Sequence, residues 1–134
     1  MKLKQRFPDI LGLPVMGAYV QFYRQDEYFK TQLSVFNYFS TFLPNIPTKL
    51  EYKVVAYRRD GSKIGSGKII LEHGQSTQID LEVVIGKSLD EYGLFHVQAK
   101  PYSDSPKEMA KIGATTGQFM TIFCPTDATR QAPQ

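Results

Sequence analysis

Apolar and polar residues alternate with a period of two along most of the chain, in short runs. Ala18, Val20 and Phe22 alternate with Tyr19, Gln21 and Tyr23 between Gly17 and Tyr23. Successive side chains on an extended strand point to opposite faces, so this spacing predicts strand and not helix. A second strand is predicted over Phe29 to Tyr38, with Leu33 and Val35 on one face and Gln32 and Ser34 on the other. Leu50 to Arg59 and Ile64 to Glu72 read as the third and fourth. Thr77 to Ile85 reads as the fifth, in which Ile79, Leu81 and Val83 share a face. Leu94 to Lys100 and Ala114 to Phe123 read as the sixth and seventh. Turn and loop text separates them: "RQDEY", "FSTFLPNIPT", His73-Gly74-Gln75, "GKSLDEYG" and "PYSDSPKEMAKIG". No internal repeat and no amphipathic helix of ordinary length interrupts the series.

About seven short strands punctuated by turn signals predict an all-β fold, a single antiparallel β-sandwich. The absence of helical crossovers argues against a parallel sheet. A small β-barrel is the alternative, and sequence order leaves both open. Residues 1–16 read as an N-terminal arm broken by Pro8, Gly12 and Pro14, residues 17–124 as the domain, and residues 125–134 as a tail.

The most motif-like text is "VVAYRRDGSKIGSGKII", Val54 to Ile70. A phosphate-binding Walker loop needs Ser or Thr after its lysine and a helix beyond it. Here Ile69 follows Lys68, and the next residues read as strand. A dinucleotide fingerprint fails for the same reason. Asp60-Gly61 is a hairpin turn signal, because Gly tolerates positive φ and Asp visits the left-handed region. Gly65 and Gly67 then predict a bulge, or a place where another backbone comes close.

A chain of 134 residues with 42% hydrophobic and 22% charged residues suits one globular domain. The net charge of +3 is too small to imply nucleic acid by itself. One cysteine excludes an internal disulfide framework and favours a reducing compartment, so a cytoplasmic location is expected. The basic start, Met1 to Arg6, is followed by "FPDILGLPVMGA", whose Asp9 and prolines make a poor signal peptide. No apolar run reaches the length of a membrane span.

The "VFNY" strand, the "VVAYRRDGS" hairpin and the "ILEHGQSTQIDL" run, between Leu33 and Leu81, resemble small bacterial Ig-like β-sandwich proteins. The layout is also similar to that of the sensory rhodopsin transducer family, whose members are small β-sandwich proteins that self-associate. The resemblance implies a binding or assembly module and carries no functional residue across.

Candidate chemistry is sparse. His73 and His96 are the two histidines, and neither has the short spacing to Cys124 or to each other that structural zinc uses. His73 reads as an exposed turn residue and His96 as a half-buried strand residue. Cys124 follows "FMTIF" and reads as a buried thiol. Asp26-Glu27 and Asp90-Glu91 are adjacent in turns, where neighbouring carboxylates need not converge. No catalytic constellation, metal site or cofactor is expected. A site assembled around His96 is the enzymatic alternative.

Two surfaces remain. From Lys49 to Lys68 six cations, Lys49, Lys53, Arg58, Arg59, Lys63 and Lys68, face two carboxylates, a local net of +4. With Tyr52 and Tyr57 interleaved, Lys53, Arg58, Arg59, Lys63 and Lys68 offer a carbohydrate- or polyanion-binding surface. The plain reading is a solvated strand whose lysines block edge pairing. The loop Phe39 to Pro47 carries Phe39, Phe42, Leu43 and Ile46 between stiffening prolines. Those four are the expected interface with a protein partner or a second copy of the chain, and the competing reading has them capping the core. The expected function is a non-catalytic binding or assembly module that forms a homo-oligomer.

Overall fold

The computed structural model describes residues 18–103, 107 and 119–126. The expected arm, the tail beyond Thr126 and residues 114–118 of the expected seventh strand lie outside them.

Seven strands form two antiparallel sheets. They are β1 (Ala18–Arg24), β2 (Phe29–Phe36), β3 (Thr48–Arg58), β4 (Lys63–Leu71), β5 (Ser76–Asp80), β6 (Tyr92–Ser103) and β7 (Phe119–Pro125). One sheet has four strands in the order β1-β6-β3-β4 and the other has three in the order β5-β2-β7. The sandwich expectation holds; the sheets do not close into a barrel. Only β3 and β4 are consecutive neighbours within one sheet. Every other connection crosses between sheets, which is why the loops gather at the two ends. No helix among the described residues is long and apolar enough to cross a membrane.

The β3–β4 hairpin follows from its turn residues. Gly61 takes φ 89°, where a side chain would be strained. The Asp60 carboxylate accepts from the Ser62 amide at 2.9 Å and from its hydroxyl at 2.7 Å. The register shifts between Ala56 and Tyr57, which leaves Ile64 on β4 as the extra residue of a bulge.

Side chains alternate into one core. The four-stranded sheet supplies Tyr23, Leu50, Tyr52, Val54, Ala56, Ile69, Leu71, Phe95, Val97 and Ala99, and the three-stranded sheet supplies Leu33 and Val35. The Tyr52 hydroxyl donates to the Phe36 carbonyl at 3.2 Å, which satisfies a polar group that burial would otherwise penalise. Burial pushes that hydroxyl's pKa up, with a smaller contribution from Tyr38.

Two expectations need correction. The expected fifth strand ends at Asp80, and Leu81–Ile85 is a short helix. Gly86 stops it in the left-handed region at φ 73°, with its amide on the Glu82 carbonyl. Leu81 and Ile85 are four residues apart, so a helical turn buries both, whereas a strand would have buried Val83, which is 65% exposed. The expected loop after β2 also begins with a helical turn, Phe39–Phe42. We label these helices α1 (Phe39–Phe42) and α2 (Leu81–Ile85). The expectation for Gly67 is met by α2: a Cβ there would overlap the Val84 carbonyl, so the helix backbone lies directly on β4.

Candidate functional site

The outer face of the four-stranded sheet has two unlike halves. β1, β6, β3 and β4 lie side by side, and the register aligns outward side chains in rows. One row runs Phe22, Leu94, Tyr57, Lys63; the next runs Val20, His96, Val55, Ser66. In the next row Lys53 faces Gln98 and Lys68, and in the one after it Glu51 faces Lys100 and Ile70.

The first half is apolar. Phe22 is 73% exposed and Val20 is 62% exposed, beside Leu94 at 37%. Val55 is buried yet belongs to no part of the core between the sheets, because its neighbours on this outer face cover it. β1 therefore turns its more apolar set, Val20 and Phe22, to solvent, while Tyr23 enters the core. The Tyr23 hydroxyl donates to the Tyr57 carbonyl at 3.1 Å, and burial, then the charge of Asp90, raises its pKa. Gly93 makes room for this contact, since a Cβ there would meet Tyr23 and the Tyr57 carbonyl.

His96 lies within the apolar half. Its Nε2 is 2.9 Å from the Tyr57 hydroxyl. Its Nδ1 is buried without a hydrogen-bond partner. The rows around it hold Val20, Val55, Leu94 and Phe22 and bring no carboxylate next to the ring.

The second half is a charge ladder. Lys53 and Lys68 are cross-strand partners, an unfavourable like-charge pairing. Glu51 offsets it: its carboxylate takes the Lys68 ammonium at 2.9 Å and the Tyr102 hydroxyl at 2.7 Å. The Lys68 hydrogen bond, then that of Tyr102, holds the Glu51 carboxyl below its usual range, and the same contact raises Lys68. Lys100 lies over the Tyr102 ring at 5.3 Å, and Lys49 pairs with Glu72 at 3.3 Å.

The basic set expected from the sequence is divided by this geometry. Lys53 and Lys68 face each other partway along β3 and β4, whereas Arg58, Arg59 and Lys63 lie at the hairpin end. Arg58 donates to the Lys63 carbonyl at 3.2 Å, and Arg59 lies 5.4 Å over the Tyr92 ring.

The loop expected to form an interface is turned inward at its start. Phe39 is fully buried and stacks on Tyr38 with ring centroids 4.7 Å apart, so it cannot line a surface. Leu43 is half-buried against the core and Ile46 is half-buried. The side chain of Phe42 lies outside the described residues. Phe39 and Leu43 pack on the core at the end of β2.

Two further side chains differ from expectation. Cys124 is half-buried on the outer face of the three-stranded sheet, where its thiol donates to Gln32 Oε1 at 2.9 Å. Gln32 in turn donates to Asp80 at 2.6 Å, and Lys30 pairs with the same carboxylate at 3.3 Å. The thiol thus belongs to a polar network, on a different sheet from His96. His73 is no simple turn residue: both ring nitrogens are engaged, Nδ1 with Thr48 and Nε2 with the Pro44 carbonyl.

Fold and face together define a two-sheet antiparallel β-sandwich with an exposed apolar sheet face. No protein-family model matches the chain, and neither a curated protein nor a solved structure matches it.

Proposed function

We propose that this chain is a non-catalytic interaction module that associates with a second copy of itself through the apolar half of its four-stranded sheet. The observation that carries the reading is the outward pair Val20 and Phe22, 62% and 73% exposed on adjacent rows of the sheet's outer face. Burying one such side chain is worth roughly 1.5–3 kcal/mol, so leaving two together in water is a liability that association removes. A twofold contact uses the same patch on both subunits.

Sedimentation at micromolar concentration tests the proposal. The native chain is expected to associate, and Val20→Ser with Phe22→Ser is expected to sediment as a single chain while melting within a few degrees of the separated native subunit. A strictly monomeric native chain, or a double variant that associates as before, would overturn it. Polyanion or glycan binding is the second reading, favoured by the adjacent ammonium groups of Lys53 and Lys68. It predicts salt-sensitive retention on heparin that is lost with Lys53→Gln.

A further inference from the structure

We propose that His73 is an acid-released latch that holds the segment between α1 and β3 against the β4–β5 turn. The proposal is independent of the association reading and rests on which atoms can donate.

The Thr48 backbone amide donates to His73 Nδ1 at 3.2 Å. A backbone amide has only a proton to offer, so Nδ1 carries its lone pair. On the other side of the ring, Nε2 is 3.1 Å from the Pro44 carbonyl. A carbonyl can only accept, so Nε2 carries the proton. The two partners together specify one neutral tautomer. The ring thereby joins the turn after β4 to both ends of the stretch from Pro44 to Thr48.

A second proton has to go on Nδ1, the atom that already accepts. The Thr48 hydroxyl, 3.1 Å from Nδ1, is able to accept a hydrogen bond from the new Nδ1–H, but the Thr48 amide is then left facing a donor. Thr48 is 3% exposed, so water does not readily replace the lost partner. Nor does the rest of the cluster replace it. Asn37 Nδ2 donates to the Thr48 carbonyl at 3.0 Å, to its hydroxyl at 3.3 Å and to the Glu72 carbonyl at 3.2 Å. None of these contacts accepts from the Thr48 amide.

Among the described residues, the charged groups nearest in the chain to the ring and its partner Thr48 are Lys49 on β3 and Glu72, the residue after β4, which pair with each other at 3.3 Å. α1 contributes the Ser40 hydroxyl, which accepts from the Gly74 amide at 2.6 Å, and the end of β2 contributes Asn37. Both are neutral. The two ring nitrogens are therefore matched to uncharged groups, and no carboxylate contacts the ring among the described residues. What the latch retains is the segment with half-buried Leu43 and Ile46, of which Leu43 packs against the core.

The bond exists while Nδ1 is unprotonated, so it is present at higher pH and lost as the ring takes up a proton. Nitrogen-resolved NMR of the full chain should show His73 as the Nε2–H tautomer at pH 8. Hydrogen exchange at the Thr48 amide, corrected for intrinsic exchange, should speed up roughly tenfold between pH 8 and 5, the loss of one hydrogen bond. His73→Asn keeps an acceptor that does not titrate, so its Thr48 protection should be independent of pH over that range. His73→Ala should exchange fast throughout. An Nδ1–H tautomer at pH 8, protection that does not change with pH in the native chain, or an unchanged pH response in His73→Asn would each overturn the proposal.

Discussion

Gly67 shows how one residue sets a packing distance. No side chain fits between β4 and the Val84 carbonyl, so α2 rests on bare backbone. Gly65 is less restricted, because an added Cβ would meet the Ile85 side chain at 3.2 Å, which can shift. Gly67→Ala is therefore expected to cost about 1–3 kcal/mol by overpacking. Urea denaturation of the variant should show a lower midpoint at unchanged slope. An unchanged midpoint would mean that α2 does not seat on β4 in this way.

Among elements, β3 is the one on which both halves of the outer face depend. It carries Val55 and Tyr57 into the apolar rows and Glu51 and Lys53 into the charged ones. Glu51 is the acceptor at the centre of its ladder, and its carboxyl is held low by Lys68 first and Tyr102 second. A folded-state pKa below the unfolded one stabilises above the ordinary carboxylate range, and that stability is lost as pH falls through the depressed value. Glu51→Gln is expected to cost about 0.2–1 kcal/mol at pH 7, a magnitude kept small because Lys68 is well exposed, and close to nothing near pH 2. Urea titrations at both pH values check this. Equal losses at both would assign the effect to packing. β1 works differently: its alternation is clear, but apolar and aromatic residues occupy both faces, and only pairing with β6 decides that Tyr23 enters the core and Phe22 does not.

For the whole molecule, the middle of the four-stranded sheet is the expected last refuge of structure. β3 pairs with β6 along all 11 of its residues and with β4 on its other side. β5 has 5 residues and only β2 beside it among the described strands. Native-state hydrogen exchange should find the amides of β3 and β6 opening only with global unfolding, and those of β5 opening earlier. Faster exchange in β3 than in β5 would place the stability in the three-stranded sheet instead.

Strand identity, the hairpin at Asp60-Gly61 and the close approach at Gly67 were legible in the sequence, because a period of two and the steric demands of glycine are local properties. α2 was not, because "LEVVI" is rich in β-branched residues and its helical spacing matters only once a core stands at four-residue intervals. Nor was the fate of Phe39: an apolar residue after a strand end suits an interface or a cap equally, and only the open end of the sandwich decides between them. The outward face of β1, the ladder around Glu51 and the ring contacts of His73 join positions far apart in sequence. Their chemistry depends on strand order, and strand order was settled by which faces could be buried together.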